Sequence, residues 1–339
     1  MRGIARLAKE LGISTGTVSR ALNGKPDVSD DTRRIVLEAA RRLGYAPNQA
    51  ARALAQGSSR SVGFMMDLDH DNAPSSEYFF MGVFDGVQSV LTRHGLDLLV
   101  LPRPTNEDAH RFLERYVARG VFDAMILSGT QTIDPRIDML ESAGLPFVTL
   151  GRSRSGTDYP WIDMDFEGVA DAAIDRLVQQ GHRRIAVTLP YGGINFGSVF
   201  ADAYKNALER NGIAFDPQLV FVTRRNEEAG YELVDRMRAV ANPPTAVLLI
   251  YEITAIGIYR RLAEIGAVPG ADLAIIGFRD EPTIRFLTPA LTCFSVSLDR
   301  LGEELAIALL GRMPQHAGTV SKGMVQKLVP LALRSGQSG

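Results

Sequence analysis

Apolar residues recur at helical spacing through the first 45 positions and change to short continuous runs after position 62. Ile4, Leu7, Ala8 and Leu11 mark a first helix, and Gly12 follows it. Val18, Ala21 and Leu22 stand at i, i+3 and i+4 and give one apolar edge to a second helix over 14–23. Ser14 occupies its N-cap, and Asn23-Gly24 followed by Pro26 stops it. A third helix starts at Ser29. Asp30 and Asp31 fall in its first turn, where negative charge suits the helix dipole. Ile35, Val36, Ala39, Ala40 and Leu43 form its apolar face, and Gly44 ends it. Two short helices joined by a tight glycine-containing turn make a helix-turn-helix. Three such stripes close one small core and leave Thr15 to Arg20 facing outward.

The outward edge of the second helix is small and polar: Thr15, Gly16, Thr17 and Ser19, with Arg20 as its one long donor. Ordinary surface helices carry long Lys and Glu side chains. Small hydroxyls let a backbone approach a surface closely, and a guanidinium forks onto a guanine edge. The alternative is a plain surface helix. Pro47 prevents the third helix from continuing, and Asn48 caps a short segment over 49–56 that is marginal as a helix in water. Gly57-Ser58-Ser59 makes a flexible joint. Within this segment, Arg52 and Leu54 suit a linker helix that folds on DNA, with Leu54 as a minor-groove wedge. Otherwise the leucine simply packs on the body.

Beyond position 62 the expected strands are 62–66, 96–101, 124–127, 147–150, 185–189, 219–222, 246–250, 273–276, 291–295 and 325–330. Helical patterns lie between most of them, such as 79–94, 166–180 and 200–211. Continuous apolar strands alternating with helices imply parallel sheets covered on both faces. Ten strands suggest two doubly wound lobes, with ligands bound beyond the carboxyl ends of the strands, in the cleft between lobes. Phe79 and Phe80 are placed to stack on a sugar ring or to fill the core, and for Phe80 core is preferred. Trp161, in Pro160-Trp161-Ile162-Asp163, either lines the cleft or packs a lobe crossover.

Composition narrows the class. With 45% hydrophobic and 22% charged residues, the 339-residue chain is ordinary globular material. One cysteine, Cys293, excludes an internal disulfide and fits a reducing compartment. No apolar run approaches a membrane span, and the N-terminus carries no signal-peptide core, so a cytoplasmic location is expected. The net charge of −2 argues against nucleic acid, but its distribution argues for it. Residues 1–60 hold eleven Lys and Arg against five Asp and Glu, a balance of +6 that leaves −8 elsewhere. A basic head on an acidic body is the asymmetry of a polyanion-binding module attached to something else.

Gly12-Ile13-Ser14, Thr17-Val18-Ser19-Arg20-Ala21-Leu22-Asn23-Gly24, Gly44-Tyr45-x-Pro47-Asn48 and Ala51-Arg52-x-Leu54 resemble the head and hinge of the lactose-repressor (LacI/GalR) family of bacterial transcription regulators. Gly181-His182-Arg183-Arg184-Ile185-Ala186, Pro244-Thr245-Ala246, Ile275-Ile276-Gly277-Phe278 and Leu287-Thr288-Pro289-Ala290-Leu291-Thr292 carry the likeness into the body, whose architecture that family shares with periplasmic sugar-binding proteins. By resemblance, Thr15, Gly16 and Arg20 read bases. Ser14, Thr17, Ser19, Asn23 and Ser29 contact the DNA backbone, and Leu54 intercalates. Gly3 and Arg6 depart from that family's usual Thr cap and acidic residue.

The resemblance also implies an organisation: a DNA-binding domain over 1–45, a hinge over 46–60, an effector-binding and dimerisation domain over 61–334, and a tail over 335–339. Lobe one would span about 62–161 and 291–322, lobe two about 162–290 and 323–334, with crossovers near 161, 290 and 323. Ser128, Arg152, Asn195, Ser198, Arg225, Tyr251 and Arg279 align with effector-contacting positions. Ser198 stands where arginine is usual, Tyr251 where Asn or Asp is common, and Arg279 where an aspartate holds sugar hydroxyls. Arginine forks suit carboxylate or phosphate, which admits an anionic sugar derivative. The alternative is a neutral sugar with Arg279 paired to Asp280 or Glu281.

Enzyme signatures are absent: the five histidines lack metal-ligand spacing, and there is no G-x-S-x-G, P-loop or G-x-G-x-x-G. No cofactor or metal is expected. The expected partners are double-stranded operator DNA, a sugar or sugar derivative, and a second copy of the chain, with no membrane. The segment 331–339 has no leucine heptads, so a dimer is expected in preference to a tetramer. The function so implied is a sequence-specific repressor of carbohydrate-utilisation genes, released from its operator by a sugar-like effector. A co-repressor-dependent or activating regulator has the same parts, and a sugar-transport protein is the distant alternative.

Overall fold

The computed structural model describes residues 3–22, 25–45, 59–67, 75–104, 106–156, 158–316 and 325–339. The chain divides into two compact units, Met1–Arg60 and Ser61–Gly339. The head holds three helices: α1 (Ile4–Leu11), α2 (Thr15–Leu22) and α3 (Asp30–Arg42). Gly12 terminates α1 with a positive φ of 66°, a conformation that costs glycine nothing. Ser29 caps α3, its hydroxyl accepting from the Thr32 amide. Leu7, Ala8, Val18, Ala21, Val28, Val36, Ala39 and Ala40 close the core. Ile35 lies outside it and is 46% exposed. It stands one step of about 100° away from the Val36, Ala39, Ala40 and Leu43 stripe, so it belongs to the flank and not to the apolar face.

The body holds two parallel sheets. The first has the order β11-β5-β4-β3-β1-β2, from β1 (Ser61–Asp67), β2 (Asp97–Arg103), β3 (Ala124–Leu127), β4 (Phe147–Leu150), β5 (Trp161–Met164) and β11 (Gln326–Val329). The second has the order β7-β6-β8-β9, from β6 (Ile185–Pro190), β7 (Val220–Thr223), β8 (Ala246–Leu248) and β9 (Ala274–Ile276). β10 (Cys293–Ser295) and β12 (Ala332–Arg334) form an antiparallel pair, and a bridge between Ile276 and Thr292 joins it to β9. Helices α4 (Ser75–Arg93), α5 (Ala109–Ala118), α6 (Pro135–Ser142), α7 (Phe166–Gln179), α8 (Asn195–Arg210), α9 (Glu227–Arg238), α10 (Thr254–Glu264) and α11 (Leu298–Leu310) alternate with the strands. Every residue of β3, β4, β8 and β9 is buried, which is why these strands read as unbroken apolar runs.

Each of the ten expected runs contains a strand, and two further strands appear, β5 and β12. They move the lobe limits. Trp161–Met164 pairs with both Phe147–Leu150 and Gln326–Val329, so the chain stays in the first sheet past 161 and past 323. Cys293–Ser295 pairs instead with Ala332–Arg334 beside the second sheet, past the expected crossover at 290. Both added strands are three or four residues long, too short for their composition to say which sheet they join. Residues 336–339 are not a tail. Ser338 is fully buried; its carbonyl accepts from the Ile275 amide at 2.6 Å and its hydroxyl from the Thr292 amide at 2.9 Å. They cover the open edge of β9, whose buried amides need acceptors.

In lobe one, α4 and α11 pack at close range through small residues. A Cβ on Gly302 would lie 2.1 Å from the Val83 carbonyl oxygen, and one on Gly86 1.9 Å from that of Asp299. This contact fixes α4, and with it Phe79 and Phe80, against the first sheet.

Candidate nucleic-acid interface and ligand cavity

In the head, the Ser14 hydroxyl accepts from the Thr17 amide at 3.0 Å and lies 2.9 Å from the Thr17 hydroxyl, capping α2. Val18 and Ala21 turn inward and are buried; Ser14, Thr15, Gly16, Arg20 and Ser29 are exposed; Thr17 and Ser19 are half-buried. Gly16 has no folding reason to be glycine. A side chain there would meet only the Ser14 hydroxyl, at an ordinary 3.6 Å. Glycine costs up to about 1 kcal/mol relative to alanine in a helix interior, and no contact within the head requires it here. Arg20 reaches Asp27 at 3.5 Å, with both side chains more than half exposed. Such a contact is weak and leaves the guanidinium available to a stronger acceptor. Asn23, Arg52 and Leu54 lie outside the described residues.

In the body, the carboxyl ends of strands from both sheets converge on one cavity of about 210 Å³. β1 contributes Asp67, β3 leads to Ser128, Gly129 and Thr130, β4 to Leu150 and Gly151, and β5 to Asp163 and Met164. Across from them, β6 leads to Ile194 and Phe196, β7 to Arg225, β8 to Ile250, Tyr251 and Glu252, and β9 to Phe278 and Arg279. Helices supply Phe79, Phe80 and Phe166. Phe166 stacks between Phe196 and Phe278, at centroid distances of 5.4 and 4.9 Å with planes 10° apart. Aromatic faces with a few polar groups at one depth make a site for an amphipathic small molecule.

Five of the eight sequence-derived ligand residues line this cavity: Phe79, Ser128, Arg225, Tyr251 and Arg279. Arg152, Asn195 and Ser198 do not. The Arg152 guanidinium is drawn to Asp163 at 2.8 Å and to both oxygens of Glu167 at 2.9 Å. The Asn195 amide donates to the Arg152 carbonyl at 2.7 Å, and the next residue, Phe196, takes the cavity position. Ser198 lies further into α8, half-buried. Arg152 and Asn195 belong to a clamp between the lobes. Gln131 and Ile194 form an antiparallel bridge, with the Thr132 amide donating to Gly193 at 3.1 Å and the Asn195 amide to Thr130 at 2.9 Å. Trp161 lies under Arg152, 5.5 Å from ring centroid to guanidinium, and is not part of the cavity wall.

Sequence reasoning missed Asp67, Phe166, Phe196, Glu252 and Phe278. Their signal was position: each stands at a strand end or within a few residues of one. Phe80, expected in the core, packs edge-on against Phe64 and also lines the cavity.

Charge on the wall is locally paired. Asp67 accepts from the Arg103 Nε at 2.6 Å. Arg279 Nη2 donates to Glu252 at 2.9 Å and to Glu281, and Arg225 lies 3.4 Å from Glu281. Burial opposes ionisation of Glu252, but Arg279 beside it wins and holds it below the usual carboxylate range. Burial, reinforced by the neighbouring Glu252, pushes Glu281 up to about 8. Two carboxylates at one guanidinium thus hold a proton near neutral pH. Burial likewise raises Asp163 to about 6 despite Arg152. Among the described residues, no cluster of three or more His, Cys, Asp or Glu is arranged to hold a metal, and no helix is long and apolar enough to cross a membrane.

Comparison with known proteins places both units. Residues 1–48 match the family described as bacterial regulatory proteins, lacI family, and residues 174–338 match the periplasmic binding protein-like domain. The HTH-type transcriptional regulator AglR of Rhizobium meliloti (strain 1021) is 35% identical over 313 residues, covering 91% of this chain and 87% of that protein. The HTH-type transcriptional regulator RafR of Escherichia coli is 33% identical over 268 residues, 78% of each chain. Among solved structures, the complex of transcriptional regulator CelR with cellobiose superposes with a TM-score of 0.71 at 26% identity over 100% of both chains. The lac repressor dimer bound to operator and the anti-inducer ONPF shares the fold, with a TM-score of 0.83 at 22% identity over 98% of this chain and 97% of that one. The chain belongs to the LacI family of bacterial helix-turn-helix transcriptional regulators.

Proposed function

We propose that this protein is a dimeric, sequence-specific repressor that lets go of its operator when a small sugar or sugar derivative fills the cavity between the two lobes. One observation carries the reading. A single chain joins an exposed helix whose glycine has no folding role to a cavity built from the strand ends of two sheets. The first suits a duplex edge, the second a small ligand.

Thr15, Gly16 and Arg20 read bases, and Ser14, Thr17, Ser19 and Ser29 hold the DNA backbone. Asn23, Arg52 and Leu54 complete that set on the strength of the family resemblance. Two heads read the halves of a pseudo-palindrome. The relatives are transcription regulators, and no catalytic step is assigned to the cavity. The protein acts in the cytoplasm, where its operator lies.

A ligand that favours one closure of the lobes shifts the protein between DNA-binding and DNA-releasing states. Reciprocity then requires operator DNA to weaken ligand binding by the factor with which the ligand weakens DNA binding. The test is an operator titration by anisotropy at several salt concentrations, with and without neutral and charged sugars. A site-specific complex that tightens at low salt and is relieved by one sugar bears the reading out. Tighter binding with that sugar reverses the sign to a co-repressor, and DNA binding without sequence preference overturns the proposal.

A further inference from the structure

We infer that Asp27, in the turn after α2, is a positioning residue that makes Arg20 selective: it holds the guanidinium from behind and offsets its pull on any nearby phosphate. The inference rests on α2 reading duplex DNA through Arg20. Arg20 Nε lies 3.5 Å from Asp27 Oδ2, with the two side chains 54% and 60% exposed. Among the described residues no other group engages the Arg20 guanidinium, so both terminal nitrogens stay open. Two terminal N–H groups side by side are the fork that fits O6 and N7 of guanine.

The turn that carries Asp27 is anchored at both ends. The Lys25 amide donates to the Arg20 carbonyl at 3.1 Å, Arg33 Nη2 donates to the Lys25 carbonyl at 2.9 Å, and Val28 is buried in the core of the head. Pro26 fixes one more backbone angle. The Asp27 carboxylate contributes nothing to this anchoring: among the described residues its one partner is Arg20. The other acids of the first 60 residues are paired on α1 and α3. Glu10 meets Arg42, Asp30 meets Arg33, and Asp31 and Glu38 both meet Arg34.

A carboxylate on the face that meets a polyanion weakens binding, since like charges repel across a few ångströms even in water. Specificity, however, is a difference of affinities, and an element that repels the wrong partner raises it. A bare guanidinium attracts every phosphate alike, and that attraction carries no sequence information. With Asp27 behind it, Arg20 is close to neutral at a distance, and the sequence-independent part of its attraction is offset. The directional part survives, because a guanine edge accepts from the two nitrogens that Asp27 leaves open. Docking excludes water and strengthens the Asp27 contact, so the fork is held most firmly while in use.

The test uses the full-length protein and a duplex site that the wild type enriches from a randomised pool. Anisotropy compares that site with a scrambled duplex over a range of salt concentrations. Asp27→Asn keeps the shape and removes the charge. It is expected to bind the scrambled duplex about fivefold tighter at low salt, with the slope of log affinity against log salt steeper by about 0.9 as Arg20 gains a phosphate. Preference for the enriched site is expected to fall about fivefold, the loss being confined to one guanine–cytosine pair in a second enrichment. Asp27→Glu, which keeps the charge, is expected to retain more of the preference than Asp27→Asn. In an Arg20→Ala background Asp27→Asn is expected to leave the preference unchanged, which a merely structural role in the turn would not do. No change, an equal change on both duplexes, or the same loss of preference without Arg20 overturns the inference while leaving α2 as the reader of DNA. Wild-type protein that enriches no site overturns that reading along with it.

Discussion

The head and the cavity solve recognition in opposite ways. The head carries its chemistry on one eight-residue helix, with inward Val18 and Ala21 setting the outward direction of Thr15, Gly16 and Arg20. The cavity draws its residues from the ends of eight strands, and its charged partners are far apart in the chain: Arg279 meets Glu252, and Arg225 meets Glu281, 56 residues away. Local recognition leaves side chains exposed and loosely held, as Arg20 is by Asp27. Assembled recognition buries them and ties each to another.

That contrast is open to attack at four points. The largest effect is expected from Gly302→Leu, where even a Cβ would sit 2.1 Å from the Val83 carbonyl. The α4–α11 pair must part, destabilising the body by about 3 kcal/mol. Unfolding followed at Trp161, the single tryptophan, reports this directly, while hydrogen exchange in α3 stays unchanged if the head is independent.

Arg20→Ala comes next. It is expected to cost about 2 kcal/mol of preference for operator over random DNA, with the fold unaltered, because the Asp27 contact it removes is exposed and weak. Competition binding with operator and scrambled duplexes measures it; an unchanged preference means that base reading lies elsewhere.

Asn195→Ala removes one side-chain hydrogen bond to the Arg152 carbonyl, worth about 1 kcal/mol. The inter-lobe bridge is then expected to open more often. Exchange at the Thr132 amide, which donates to Gly193 across the cleft, accelerates about fivefold. Unaltered exchange there means that the clamp does not depend on Asn195.

The fourth point concerns pH. A carboxyl whose folded pKa is raised stabilises the fold at low pH, and that contribution is lost as pH rises through the folded value. Glu281, raised to about 8 by burial and by Glu252, therefore lowers the stability of the body as pH climbs from about 5 to above 8. Glu281→Gln, which cannot ionise, flattens that slope in a series of melts across the same range.

The same contrast explains what was legible beforehand. Ser14 as a cap, the inward pair Val18 and Ala21, and the ending at Gly12 are local events, visible within a few residues. The buried strands were visible because parallel sheets covered on both faces need unbroken apolar runs. The cavity was legible only in outline. Strand ends predict where a ligand binds, but Asn195 and Phe196 are neighbours on one helix, and only packing decides that the phenylalanine enters while the amide turns to Arg152.

By itself, then, the sequence determined most of the elements, the outward face of α2, and the separation of a basic head from an acidic body, since periodicity, capping and charge act over one or two turns. Only the tertiary structure decided that Trp161–Met164 and Gln326–Val329 stay in the first sheet, that residues 336–339 close an edge, and that Arg279 is answered by Glu252. Those outcomes depend on which distant segments the chain path brings within hydrogen-bonding distance, and once buried, a charge takes whichever partner that path supplies.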